Sequence, residues 1–399
     1  MAPYLFVLLA IDVKGYPMQL SRRNFLRSMG LGTAAATSVQ WSLPAWSSTA
    51  AFEPARIKEP GGPIRLDNNE NVYGPSRKTA AAIRAALGSA NRYPFNEYDG
   101  LIDRIASFHR VKPEQILLGC GSSEILRLAA ATFLGPGKQL IQASPTFESM
   151  DHYARSAGAE VISVPLTATF AHDLDAMLAR TGTSSTLVYI CNPNNPTASL
   201  TPRNDIESFI GKLPGNSYLL IDEAYHHYAG QSAMYASFLD RPVENERVIV
   251  SRTFSKIYGL AGLRLGYGVA SARTAKQMNA YATIDNVNGV VVRAGLAALD
   301  DAPSVAEFVK RNEDARQEFF NQAMARMLKP IDSHTNFVMM NTHHPAEQVI
   351  EHFRKNNVLI GRRFPAMDSY IRVSFGTPDE MAAFWRVWDM LPFAKAMQH

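Results

Sequence analysis

From Gln115 to Val269 the chain alternates short apolar runs with stretches whose apolar residues recur at helical spacing. Gln115 to Leu118, Gln139 to Gln142, Val161 to Val164, Thr186 to Ile190, Tyr218 to Ile221, Arg247 to Val250 and Leu265 to Val269 read as buried strands. Between them, Ser123 to Phe133, Thr146 to Ala157, Leu174 to Ala179 and Asn204 to Lys212 carry the period of helices. The alternation predicts an α/β fold: a large domain on a mostly parallel seven-stranded sheet with helices on both faces.

After Asn288 the pattern changes. A long helical region, broken near Ala302-Pro303, runs from Val290 to Met327, and two strand-like runs, Asn336 to Met340 and Tyr370 to Phe375, flank the helix Ala346 to Lys355. This predicts a smaller α+β domain. The expected layout is a signal region at 1–51, an N-terminal segment of the small domain at 52–92, the large domain at 93–288 and the C-terminal small domain at 289–399.

The composition supports a folded chain with room for two domains: 399 residues, 46% hydrophobic and 19% charged. The net charge of +4 is uneven, because Lys14, Arg22, Arg23 and Arg27 against Asp12 give the first 51 residues +3 and leave +1 for the rest. A body so close to neutral carries no electrostatic footprint for nucleic acid.

In the N-terminal region Ser21-Arg22-Arg23-Asn24-Phe25-Leu26-Arg27 precedes a Gly/Ala/Thr-rich stretch, Ser28 to Val39, and then small residues from Ala45 to Ala51. This order resembles a twin-arginine export signal cleaved near Ala50, and implies a periplasmic or otherwise exported protein. A disordered tail with a chance Arg-Arg pair explains the charges but not their order. Tyr4 to Ile11 is too short to span a bilayer, so no stable membrane anchor is expected, and Met18 is the expected true start. The two cysteines, Cys120 and Cys191, are expected as buried thiols and not as a disulfide framework.

The chemistry-bearing residues follow the ends of apolar runs, where open α/β sheets bind ligands. Gly119-Cys120-Gly121-Ser122-Ser123-Glu124 leads from a strand into a helix, a place suited to a phosphate, although a simple N-cap serine explains the same pattern. Cys191-Asn192-Pro193-Asn194-Asn195-Pro196-Thr197 turns the chain sharply and presents an Asn amide. Asp222 closes a strand, where a carboxylate needs a partner or caps the next helix. Lys256 follows another strand, near Thr253, Ser255 and Arg264, whose cation lowers an amine's pKa as imine formation requires. Most lysines are simply solvated, and Lys256 alone would be weak ground.

Taken together, Asn195-Pro196-Thr197, Asp222-Glu223-Ala224-Tyr225, Ser255-Lys256 and Gly262-Leu263-Arg264 resemble the fold-type I class I/II aminotransferases. Leu66-Asp67-Asn68-Asn69-Glu70-Asn71, Asn91-Arg92-Tyr93-Pro94 and Ile371-Arg372-Val373-Ser374-Phe375-Gly376-Thr377 are similar to further motifs of the histidinol-phosphate aminotransferase branch. The resemblance implies pyridoxal 5'-phosphate as cofactor and no metal. Lys256 would hold the cofactor as a Schiff base and then move the proton between the substrate α carbon and the cofactor C4' carbon. Asp222 would face the ring nitrogen, Asn195 and Tyr225 the phenolic oxygen, and Phe147 the ring face. Ser122, Ser123, Thr253, Ser255 and Arg264 would cradle the phosphate, and Tyr93 would reach the phosphate of a neighbouring subunit, making a homodimer with shared active sites. Arg372 would clamp a substrate carboxylate, with Asn71 and Arg362 as further substrate contacts.

Small-molecule amino acids and 2-oxo acids are then the expected partners. A decarboxylase on the same fold and a non-catalytic cofactor-binding protein are the alternatives. The pattern is broken at Ala198, where a glycine is usual, at Val72, where a proline is usual, and at Phe147, where a tyrosine is common. Gly361-Arg362-Arg363-Phe364 carries two arginines where the branch usually has one for the substrate's phosphate. They could bind a phosphate or a second carboxylate, or be a solvated basic pair.

Overall fold

A first strand, β1 (Ile64–Leu66), opens the computed structural model, which describes residues 62–182, 184–240 and 245–393. The expected export signal, its cleavage near Ala50 and the start at Met18 lie outside the described residues. Seven strands follow: β2 (Ile116–Gly119), β3 (Gln139–Ser144), β4 (Glu160–Pro165), β5 (Thr186–Cys191), β6 (Ser217–Asp222), β7 (Val248–Thr253) and β8 (Gly266–Val269). They form one sheet in the order β2-β8-β7-β6-β5-β3-β4, parallel except for β8, which is antiparallel to both of its neighbours. Each expected strand is present, within one to three residues of its sequence bounds.

Strand periodicity explains the two-sided burial. In β5, Leu187, Tyr189 and Cys191 point into the apolar layer that holds Ile125, Leu126, Met150 and Met278. Val188 and Ile190 point into the opposite layer, with Ile206, Phe209, Leu101 and Ile105. Burying such side chains contributes about 1.5–3 kcal/mol each, which fixes β5 in the interior of the sheet and its register against β6.

The remaining strands are β9 (Lys329–Pro330), β10 (Phe337–Asn341), β11 (Val358–Ile360) and β12 (Tyr370–Ser374). β12, β10 and β9 form an antiparallel three-stranded sheet, while β1 pairs in parallel with β11. β1, β10, β11 and β12 share a separate apolar cluster with Phe319, Phe353, Phe384 and Trp388. The N-terminal strand therefore joins the C-terminal elements.

Two boundaries differ from the sequence reading: Ile83 of the helix Arg77–Ala86 packs against the large-sheet cluster, so the small-domain segment does not run to 92. The helix Gly289–Leu299 packs Val291, Val292, Ala294 and Ala298 into the large-sheet cluster, so the packing boundary falls after it and not at 288. Helices at Arg77–Ala86, Phe95–His109 and Pro378–Trp388 were not anticipated. The last has a legible signal: Thr377 and Glu380 form a capping box, with Pro378 at the first helical position. Both cysteines are free, as expected, but Cys120 is exposed and only Cys191 is buried. No helix among the described residues is long and apolar enough to cross a membrane.

Candidate active site

The C-terminal ends of β2, β3, β5, β6 and β7 lie on one edge of the sheet, and antiparallel β8 begins there, with Gly266 beside both Gly119 and Thr253. Turns at this edge and the loops after β1 and β11 enclose a cavity of about 460 Å³. Ser122, Ser123, Phe147, Asn195, Asp222, Tyr225, Thr253, Ser255, Lys256, Arg264, Arg362 and Arg372 all line it. Two expected residues do not. Asn71 turns away to donate to the Ile257 carbonyl at 2.8 Å, and Tyr93 is 72% exposed, stacked on Phe95.

Asp222 ends β6 inside the protein. Tyr189 Oη donates to its Oδ2 at 3.0 Å, while Oδ1 is buried without a hydrogen-bond partner. Burial pushes the carboxyl up to about 6, against the opposing pull of the Tyr189 hydrogen bond. An unpaired buried carboxylate oxygen costs a few kcal/mol, so this geometry suits a cationic or N–H group arriving in the cavity.

Lys256 Nζ donates to the carbonyls of Asn69, at 3.1 Å, and Asn68, at 3.4 Å. Burial first, then the guanidiniums of Arg372 and Arg264, bring its amine down to about 8. A neutral amine is therefore accessible near physiological pH, as a nucleophile requires.

The doubled Asn-Pro turn divides its labour. Asn192 bonds Thr201 through both ends of its amide, and Asn194 holds Pro145 and Thr197. Only Asn195 is left to face the cavity, its Oδ1 accepting from Arg372 at 2.8 Å. Ala198, where a glycine is usual, adopts the left-handed conformation at φ 63° within this turn.

Beneath the anion end, Gly121 is the N-cap of the helix Ser122–Phe133, so neither Ser122 nor Ser123 caps it. A Cβ on Gly121 would lie 2.1 Å from an Arg264 nitrogen, and one on Gly266 would lie 2.2 Å from the Ser122 amide nitrogen. Two missing side chains thus bring a helix N-terminus, two hydroxyls and a guanidinium together, with Arg264 also reaching Ser255 Oγ at 3.3 Å. The cradle fits a phosphate dianion.

Arg372, on β12, is mostly buried. It donates to Asn195 and to the Asp67 carbonyl at 2.8 Å, its Nε has no partner, and burial lowers its pKa. The two consecutive arginines separate. Arg362 lines the cavity and pairs with Glu148, while Arg363 pairs with Asp368 away from it.

Tyr225 is held as a phenol by burial. It accepts from Asn69 Nδ2 at 3.0 Å, so its own proton is available to the cavity. Asn69 was missed from sequence in favour of Asn71. Its signal is the register Leu66↔Ile360, which carries residues 67–69 past a strand end into the same edge. Asp67, Glu148, Cys191 and Tyr189 were also missed as site residues.

The class I and II aminotransferase family matches residues 62–386. The chain belongs to the class I and II aminotransferases. It is 37% identical over 323 residues to a histidinol-phosphate aminotransferase of Carboxydothermus hydrogenoformans, spanning 80% of this chain and 88% of the relative. It is 38% identical over 336 residues to one from Methylobacillus flagellatus, spanning 84% and 90%. A solved histidinol-phosphate aminotransferase of Sinorhizobium meliloti, in complex with pyridoxal-5'-phosphate, superposes with TM-score 0.77 and 26% identity, covering 84% of this chain and 92% of that one. This aminotransferase has the family's α/β fold and is a pyridoxal-phosphate-dependent transaminase. The orphaned Asp222 Oδ1, the amine of Lys256 and the glycine-framed anion cradle fit that cofactor's ring nitrogen, aldehyde and phosphate.

Proposed function

We propose that this aminotransferase exchanges an amino group between an amino acid, or a histidinol-phosphate-like amine, and a 2-oxo acid by a ping-pong route. The observation that carries the assignment of roles is the single cavity in which Lys256, Asp222, Tyr225, Asn195, Arg264 and Arg372 converge. When bound, pyridoxal phosphate supplies the electron sink for breaking a bond at the substrate α carbon. Lys256 would hold the cofactor, and its Nζ, when neutral, would move a proton at the substrate α carbon. Asp222 would hold the ring nitrogen, its Oδ1 being without a hydrogen-bond partner and its charge favouring a protonated ring. Tyr225 and Asn195 would donate to the phenolic oxygen, Arg264 with Ser122, Ser123, Thr253 and Ser255 would hold the phosphate, and Phe147 would cover the ring. Arg372 receives the anionic group of the substrate, on a guanidinium whose Nε has no other partner.

The relatives' names support a histidinol-phosphate-like donor. The exposed, stacked Tyr93-Phe95 pair supports a homodimer in which Tyr93 enters the partner's site. The Arg22-Arg23 segment supports export to the periplasm.

The test is a donor panel assayed with wild type and Lys256→Ala. The bound cofactor's absorbance should shift with an amino donor and return with a 2-oxo acid, while the variant loses turnover by at least about a thousandfold. Release of carbon dioxide without amine transfer, or full turnover by the variant, would sink the proposal.

A further inference from the structure

The roles above leave the side chains of Asp67, Glu148 and Arg362 in the cavity wall unused, and the last two face each other. Arg362, just past β11, and Glu148, just past Phe147, lie 214 positions apart in sequence and form an ion pair at the cavity. Arg362 is further fixed by Nη1 donating to the Arg363 carbonyl at 3.1 Å and by the Phe364 ring, whose centroid is 4.4 Å from its guanidinium carbon. The other face of this wall is Arg372, whose guanidinium carbon is 5.2 Å from the same centroid.

One aromatic ring therefore stands against two guanidiniums of different status. Arg372 is mostly buried with a free Nε, whereas Arg362 is half exposed and already neutralised by Glu148. A substrate's first anion meets an available cation at Arg372. A second anion at the far end of the substrate meets a spent one, because it must displace Glu148 and then lie beside that carboxylate.

We propose that Glu148 sets which distal groups this site accepts. Resting on the aminotransferase reading, the inference is that the preferred substrate carries one anion for Arg372 and a distal cationic or hydrogen-bond-donating group, such as an imidazole, guanidinium or ammonium. Substrates whose distal end is a carboxylate or phosphate are discriminated against by Glu148. A donor with one phosphate and one imidazole satisfies the rule if the phosphate takes Arg372.

Equilibrium binding of unreactive acids to the cofactor-loaded enzyme tests this without turnover. Butanoate has one anion, 3-phosphonopropanoate adds a distal anion, and 4-guanidinobutanoate adds a distal cation. Glu148→Gln should tighten 3-phosphonopropanoate and weaken 4-guanidinobutanoate, each on the order of tenfold, as removing one charge a few Å away at a half-exposed site predicts. Butanoate should change by less than about twofold. Arg362→Gln should weaken 3-phosphonopropanoate in the Glu148→Gln background. Equal shifts for the two distal groups, or no shift for either, would overturn the assignment of Glu148. Butanoate binding that is indifferent to Arg372→Gln would instead overturn the site reading, and the proposal with it.

Discussion

The Tyr189 hydroxyl donates to Asp222 Oδ2 at 3.0 Å between adjacent strands, two residues before the register pair Cys191↔Asp222, and leaves Oδ1 without a hydrogen-bond partner. Tyr189 therefore decides both which oxygen is free and how readily the carboxyl ionises. Tyr189→Phe removes the one side-chain hydrogen bond that opposes the effect of burial, so Asp222 titrates higher and fewer molecules carry the carboxylate at pH 7. A hydrogen bond to a charged group is worth about 1.5–3 kcal/mol, so cofactor affinity should fall about tenfold or more, with the loss shrinking as pH rises. Equilibrium dialysis of the cofactor at pH 6.5 and 8.5 measures it. Unchanged affinity at both would show that Asp222 needs no such support.

Asp222 should be a burden to the protein before the cofactor arrives. Its folded pKa of about 6 lies above the ordinary 3.8, because burial disfavours the charged form. At pH below about 4 both folded and unfolded states hold the proton and nothing is lost. As pH rises to 6 the unfolded state ionises first, and the folded state is left behind by up to about 3 kcal/mol. Asp222→Asn keeps an acceptor for Tyr189 and removes the charge. The apo variant should therefore melt several degrees above wild-type apoprotein at pH 7.5 and level with it at pH 4, while binding the cofactor far more weakly. Thermal melts at the two pH values decide this, and a variant that melts lower at pH 7.5 would contradict it.

The parts of the site that lie at strand ends in the large sheet were legible, because buried parallel strands announce themselves as apolar runs and their C-terminal ends share one edge. Lys256, Asp222, Asn195 and Arg264 could all be placed this way. The parts built by pairing across the chain were not. β1 and β11 have only three residues each, too short for a periodicity signal, yet their register carries Asn69 and Arg362 into the cavity. Tyr189 was invisible for a different reason: a tyrosine inside an apolar run reads as core, and only the strand alternation that aims it at Asp222 gives its hydroxyl a task. Asn71 misled because it shares a motif with Asn69, but two residues along a loop reverse which side chain faces the ligand.

Lys256 should load its cofactor with a pH dependence far below that of an ordinary lysine. The amine must be neutral to attack an aldehyde, and burial with Arg372 and Arg264 nearby places its pKa at about 8 against the usual 10.5. The rate of loading onto apoprotein should rise roughly tenfold per pH unit below 8 and level off above it. Stopped-flow absorbance from pH 6 to 10 gives the profile. A rate still climbing through pH 9.5 would mean that the amine is not shifted.

Two glycines at the anion cradle should fail in different ways when a methyl group is added. On Gly266 the new Cβ meets backbone, 2.2 Å from the Ser122 nitrogen and 2.5 Å from the Gly121 carbonyl carbon, and backbone held between β8 and a helix N-terminus cannot yield cheaply. Gly266→Ala should therefore destabilise the whole protein, by about 1–3 kcal/mol or more, and lower its melting temperature. On Gly121 the nearest atoms belong to the end of the Arg264 side chain, at 2.1 Å, which can swing aside. The backbone at φ 79° and ψ 163° lies in a region adopted essentially only by glycine and adds about 1–3 kcal/mol of strain for alanine, but the larger effect should fall on function, because the displaced guanidinium leaves the phosphate. Gly121→Ala should thus stay folded and lose cofactor affinity by tenfold or more, read by dialysis beside a thermal melt. If instead Gly266→Ala melts like wild type, or Gly121→Ala binds the cofactor as tightly as wild type, the close approach of Arg264 to the helix N-terminus is not what holds the phosphate.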